Sequence, residues 1–339
     1  MPAALHRALS PLDGARRSVL RLVAGRWLAD REARVTGVAL LSITTALVGA
    51  VLLPLWVLAL GPILLGVPHL AADVRYLVLR PGLHRRRALW LACGLPLLAV
   101  SLSGDVAPGF LAIAGAFAFT NGPALRRTLG VAASIAGFAA ALVWRAETSL
   151  ALAWGHNLVA VALWWAWRPR RTRTAWLPLV LLAVSTAAVL AGAFDGLPDL
   201  AAAGAFDFPT QADRLAPNLD GRLTARLLVC FAFAQSVHYA VWLRLVPEDD
   251  RERPAPRSFR ASFDALVRDF GAPALAACVL LFAGIAAWSA FDLWSASLGY
   301  FRLALFHGHL ELAAAAVLLS GARSGACPNR SSLAPPASS

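Results

Sequence analysis

Ten apolar runs, each near the length a bilayer demands, divide this chain and leave few folds open to it. A membrane-crossing helix needs about 20 mostly apolar residues. Runs of that kind fall near 37–57, 60–80, 88–104, 108–125, 128–145, 149–167, 175–194, 223–245, 271–291 and 300–320, the third and fourth being short. The expectation is an all-α fold, a polytopic membrane helical bundle of about ten transmembrane helices. Composition agrees: only 15% of residues are charged and the mean hydropathy is +0.64, whereas soluble domains are about 25% charged.

The net charge of +12 does not point to nucleic acid. All 31 basic residues are arginine, set in short clusters between apolar runs, which is the positive-inside pattern of a multi-span protein. The even-numbered spans end on RPGLHRRR, on Arg126-Arg127, on RPRRTR and on the arginine-rich stretch from Arg244 to Arg268. The opposite connections carry SGD, RAE, a 195–222 segment with Asp195, Asp199, Asp207 and Asp213, and Asp292. One alternation fits every loop, so both termini are predicted to be cytoplasmic, in a bacterial inner membrane. Trp164, Trp165 and Trp167 suit an aromatic belt at the inner interface.

The chain reads as three regions. Residues 1–35 carry seven arginines and read as a basic amphipathic helix with Leu20, Val23, Trp27 and Leu28 in the headgroup layer, or as a solvated cytosolic tail. Residues 36–322 form the transmembrane domain, whose outer connection 195–222 reads as a lid, a re-entrant loop or a plain solvated loop. Residues 323–339 are Ser- and Pro-rich and predicted to be disordered. The four cysteines are scattered, with no CxxC pair.

Five of the seven histidines lie inside predicted spans: His69, His156, His238, His307 and His309. His6 and His84 fall in the tail and a basic loop. An ionisable group at membrane depth is costly and usually faces the bundle interior. His69, Asp73, Tyr76 and Arg80 make one polar stripe at helical spacing. In FHGHLELAAAAVLL, His307 and Glu311 share a face, while His309 points roughly 160° away unless Gly308 permits a distortion. Counted from the outer boundary at the helical rise, His69, His156, His307 and His309 lie about 10–14 Å deep, and Asp73, Glu311 and His238 about 16–23 Å. Residues from four helices thus converge on one candidate pocket. Imidazole with carboxylate suits iron, zinc or manganese, and an open nitrogen- and oxygen-rich site suits Fe(II). His69, His156, His238, His307 and His309 are the candidate ligands, with Asp73, Glu311 and Tyr76 as candidate catalytic groups. Asn157 and Gln235 are candidates for fixing histidine tautomers. There is no HExxH or GxGxxG motif.

Gly66-Val67-Pro68-His69-Leu70-Ala71-Ala72-Asp73 resembles the G-x-P-H-G-x-x-D signature of the Brp/Blh-type membrane proteins, with Leu70 in place of the usual glycine. Gln235 to Arg244 is similar to a second stretch of that family but keeps one histidine, His238, of two. The resemblance implies a multi-span enzyme that cleaves beta-carotene oxidatively, with iron held by intramembrane histidines. The missing histidine leaves the ligand set and substrate open. The leading expectation is a metal-dependent oxidoreductase holding one or two Fe(II) ions and acting on a carotenoid-like or other lipophilic small molecule, with membrane lipids as its surroundings. The alternatives are a proton- or ion-coupled transporter, a haem-binding electron carrier, and histidines that only tie helices together.

Overall fold

The computed structural model describes residues 3–23, 30–202, 206–219, 221–251 and 258–321, and their regular structure is helical. Trp27, Leu28 and the tail 323–339 lie outside the described residues. In chain order the helices are α1 (Ala3–Val23), α2 (Arg31–Leu52), α3 (Pro54–Leu79), α4 (Arg87–Ser103), α5 (Ala107–Ala118), α6 (Ala124–Val143) and α7 (Arg145–Trp167). They continue as α8 (Arg173–Leu190), α9 (Phe208–Leu215), α10 (Gly221–Asp249), α11 (Phe259–Phe270), α12 (Ala272–Phe291), α13 (Leu293–Ala304) and α14 (His307–Gly321).

Among the described residues, eight segments are long and apolar enough to cross a membrane: α2, α3, α6, α7, α8, α10, α12 and the stretch Leu293–Leu318. The third and fourth predicted spans are the shorter helices α4 and α5, the latter only 12 residues long. Several boundaries differ from the sequence reading, and two of them have a visible local cause or consequence. Pro54 takes the first turn of α3, where its missing amide costs nothing, so the first span ends at Leu52 rather than 57. The last stretch begins at Leu293 rather than 300, and it breaks between Ala304 and His307.

A bilayer is the solvent this surface requires. Helix α12 buries almost none of its side chains, and Val279, Leu280 and Phe291 are exposed along it. Together with exposed Leu91, Leu98 and Leu102 on α4, such apolar area far exceeds what a water-soluble monomer presents. The chain is therefore an all-helical, multi-pass membrane protein.

The chain divides into two units, residues 1–83 with 150–304, and residues 84–149 with 305–339. In the first, α10 is the central helix and packs on α2, α3 and α8. Its Leu228, Phe233, Trp242 and Leu245 are almost wholly buried. One end of this unit is fastened by ion pairs to three consecutive acids closing α10. Glu248 takes Arg34 of α2 at 2.6 Å, Asp249 takes Arg170 of the α7–α8 connection at 2.6 Å, and Asp250 takes Arg80 at the end of α3. Arg75 adds a pair with Asp269 of α11 at 2.7 Å. The arginine-rich connections at this end are thus held by the protein's own carboxylates.

Part of the 195–222 connection packs against neighbouring helices. Asp207 caps α9 by accepting the Thr210 amide. The Leu215 carbonyl accepts the Trp154 indole N–H of α7 at 3.1 Å. Phe206 is buried edge-on against Trp294, and the Arg214 guanidinium lies over the Trp294 and Phe301 rings. The segment packs down onto α7 and α13.

Helix α1 docks on α11. Asp13 accepts the Phe259 amide at 2.6 Å and the Arg260 side chain at 3.2 Å. Burial raises this carboxyl, but the Phe259 and Arg260 amides and the Arg260 guanidinium outweigh that and hold it below its ordinary value. A carboxyl lowered on folding stabilises above its unfolded value, and the stability is lost as pH falls through the folded one. The α1–α11 attachment is expected to hold at neutral pH and to loosen below about pH 4. Hydrogen exchange across α1 would show faster exchange in acid, and Asp13→Asn would flatten that dependence. Acid-insensitive exchange in the wild type would contradict it.

In the second unit α5 is the inner helix, packed on α6 and α14. Ile113 and Ala116 meet Ala313 and Ala316. Small residues of this kind let helices approach closely where lipid offers no hydrophobic driving force between them.

Candidate metal centre

Three histidines from three helices meet in the first unit. His238 of α10 stands between the other two, its ring centroid 5.3 Å from that of His69 on α3 and 4.9 Å from that of His156 on α7. Both pairs are edge-on. His69 and His238 are each 1% exposed, and His156 is half-buried beside them. Asp73, one turn beyond His69, is fully buried and near enough to Tyr300 to act on it electrostatically.

Local backbone sets the imidazole orientations. Pro68 lacks the amide that would bond the Leu64 carbonyl, which loosens the turn ahead of His69. The His69 Nδ1–H reaches back to the Leu65 carbonyl at 3.3 Å, and His156 repeats the device on Leu152 at 3.0 Å. A proton fixed on Nδ1 leaves the Nε2 lone pair as the ligating atom. Asn157 and Gln235, expected to do this work, do something else. Asn157 donates to the Ala153 carbonyl, and Gln235 donates to the Tyr239 hydroxyl at 2.9 Å.

Two residues that the sequence reading passed over complete the cluster. The Tyr239 ring lies 4.7 Å from the His69 ring, and the Tyr300 hydroxyl of α13 lies 3.4 Å from His69 Nδ1. The two tyrosine hydroxyls are hydrogen-bonded to each other. Gly66 makes this possible: a Cβ there would stand 2.4 Å from the Tyr300 ring. The available signal was scarcity, since the chain has only three tyrosines and two of them sit here.

The third, Tyr76, lies further along α3. After Asp73 the helix widens into a π segment, Val74–Leu79, whose larger turn shifts the register of its residues. Tyr76 is buried there among Arg75, Trp167 and Arg80, the last residue of the expected stripe. A second π segment, Val241–Leu245, succeeds His238 and Tyr239 in the same way. π-Bulges of this kind occur frequently at functional sites.

His307, His309 and Glu311 belong to the second unit. The helical break falls at Leu305–Phe306, not at Gly308, so α14 starts at His307. His307 is half-buried, whereas His309 and Glu311 are fully buried. The His309 ring packs edge-on against Phe110 and over Gly109, where a Cβ would stand 2.2 Å from the imidazole. No protein-family model matches the chain, and neither a curated protein nor a solved structure does.

Proposed function

We propose that this protein is an integral-membrane, metal-dependent oxidative enzyme acting on a lipophilic substrate such as a carotenoid or another lipid. In this reading ten segments cross or enter a bacterial inner membrane, with both termini on the arginine-rich, cytoplasmic side. One observation carries the proposal: His69, His156 and His238, on three helices long and apolar enough to cross a membrane, gather in one cluster, two of them with Nδ1 tied to a carbonyl of its own helix. The donor set fits Fe(II) and also accommodates zinc, and the resemblance of Gly66–Asp73 to the Brp/Blh signature favours iron. His69, His156 and His238 would hold the ion.

Iron held there supplies the activation of O2 that oxidation of an unactivated hydrocarbon needs. The chain supplies the rest. Leu65 and Leu152 keep protons on Nδ1 of His69 and His156, Tyr239 and Tyr300 hold hydroxyl protons beside His69, and the apolar helices exclude water.

A proton-coupled transporter is the second reading, favoured by the hydrogen-bonded line from Gln235 through Tyr239 and Tyr300 to His69.

Elemental analysis with an optical spectrum separates these readings. The expected result is stoichiometric iron without a Soret band. A metal-free preparation that moves protons across liposomes would overturn the enzyme reading in favour of transport.

A further inference from the structure

The first unit has a groove of about 410 Å³ on the side of α3 turned away from the histidines. Val67, Pro68, Ala71, Ala72 and Arg75 line it from α3. At about 100° per residue this face is roughly 150° around the helix from His69 and Asp73. The groove is therefore separate from the candidate metal centre, and its occupancy is independent of any metal.

Its lining has two characters. Val279 and Phe282 of α12, with Pro68 and Ala71 of α3, make it apolar on one side. It also carries four guanidiniums, Arg16 of α1, Arg75, Arg244 and Arg251, against one carboxylate, Glu248. The pairing is unequal. Arg75 is satisfied by Asp269, while Glu248 is shared between Arg34 and Arg251. Arg16 and Arg244 form no direct ion pair with another described residue; they repel each other and are drawn at longer range by Glu248, with Asp13 also acting on Arg16. Burial and the neighbouring Arg244 charge outweigh the attraction of Asp13 and Glu248 and pull Arg16 below its ordinary value. With Glu248 already divided between Arg34 and Arg251, the excess positive charge beside an apolar slot suits an anion with a hydrocarbon tail. The volume falls in the range of small-molecule sites, and α12 opens the slot to the bilayer.

We infer that this groove binds a membrane lipid with a phosphate-bearing headgroup, the phosphate between Arg16 and Arg244 and one chain between α3 and α12. Arginine forks match phosphate oxygens bidentately, and the apolar slot selects a tailed anion over a free one.

Native mass spectrometry of the full chain in detergent, supplied with dioleoyl phosphatidic acid, tests this. The wild type is expected to retain phosphatidic acid and not dioleoylglycerol, which has the same chains without the phosphate. Arg16→Gln with Arg244→Gln should lower retention by about tenfold or more, the scale of a lost charged hydrogen bond. Both side chains reach the surface, so the thermal unfolding midpoint should stay near the wild type. Ala72→Phe, which leaves every charge in place but fills the slot, should lower retention too. Equal retention of dioleoylglycerol, undiminished binding in the double variant, or displacement of the lipid by inorganic phosphate would each overturn the inference.

Discussion

His238→Ala is expected to lower bound metal by at least about tenfold, the lower end of what even a misoriented ligand costs. The position is chosen by geometry. His238 is the residue whose ring touches both His69 and His156, so its loss removes one ligand and the spacer between two others. His69→Ala should act comparably, because its Nε2 is presented by the Leu65 hydrogen bond rather than by chance rotation. His84→Ala, in the basic connection outside the spans, should retain wild-type metal and serves as the control. His307→Ala checks the ligand that the sequence reading adds from the last predicted span. Metal per chain is read by elemental analysis on monodisperse protein. Wild-type metal in His238→Ala would remove the basis of the proposed centre.

Gly66→Ala is expected to cost about 1–3 kcal/mol of stability, the usual range for overpacking a close contact. The new methyl would stand 2.4 Å from two carbons of the Tyr300 ring and 2.8 Å from its hydroxyl. That ring cannot yield freely, because its hydroxyl is tied to both His69 and Tyr239. The damage should therefore reach the histidine cluster as well as the fold. Gly155→Ala is the matched control, since a Cβ there meets nothing within 4 Å although it adjoins His156. Combining Gly66→Ala with Tyr300→Ala should cost less than the sum of the two single changes, because the same ring is the obstacle in one and absent in the other. Unfolding midpoints in detergent report all four. A Gly66→Ala protein as stable as the wild type would show that Tyr300 does not occupy this seat.

Much of the architecture was legible because apolar run length and arginine position are one-dimensional signals. The ten runs reappear as eight long helical segments and the short pair α4 and α5, the two runs already read as short. Helix ends were legible only where a residue enforces them, and Pro54 was the one overlooked. The histidines of α3, α7 and α10 stood out because charge at membrane depth is rare. Their partners did not, since Tyr239 and Tyr300 read as ordinary apolar bulk until Gly66 is seen to clear a space. The π segment that holds Tyr76 was not legible, because regular helical spacing carries no sign of one. The acids Glu248, Asp249 and Asp250 were read as part of a basic stretch, since hydropathy cannot say that each faces a different arginine.

Those three acids also impose an order on biosynthesis. Arg34, Arg80 and Arg170 all leave the ribosome well before residue 248 does. Until then each guanidinium must be satisfied by water or lipid headgroups, which keeps its helix end at the interface and resists inversion of the early hairpins. When Glu248, Asp249 and Asp250 emerge they draw three separately inserted helix ends into a single latch. Insertion comes first and locking second, and the late arrival of one acidic triplet separates the two in time.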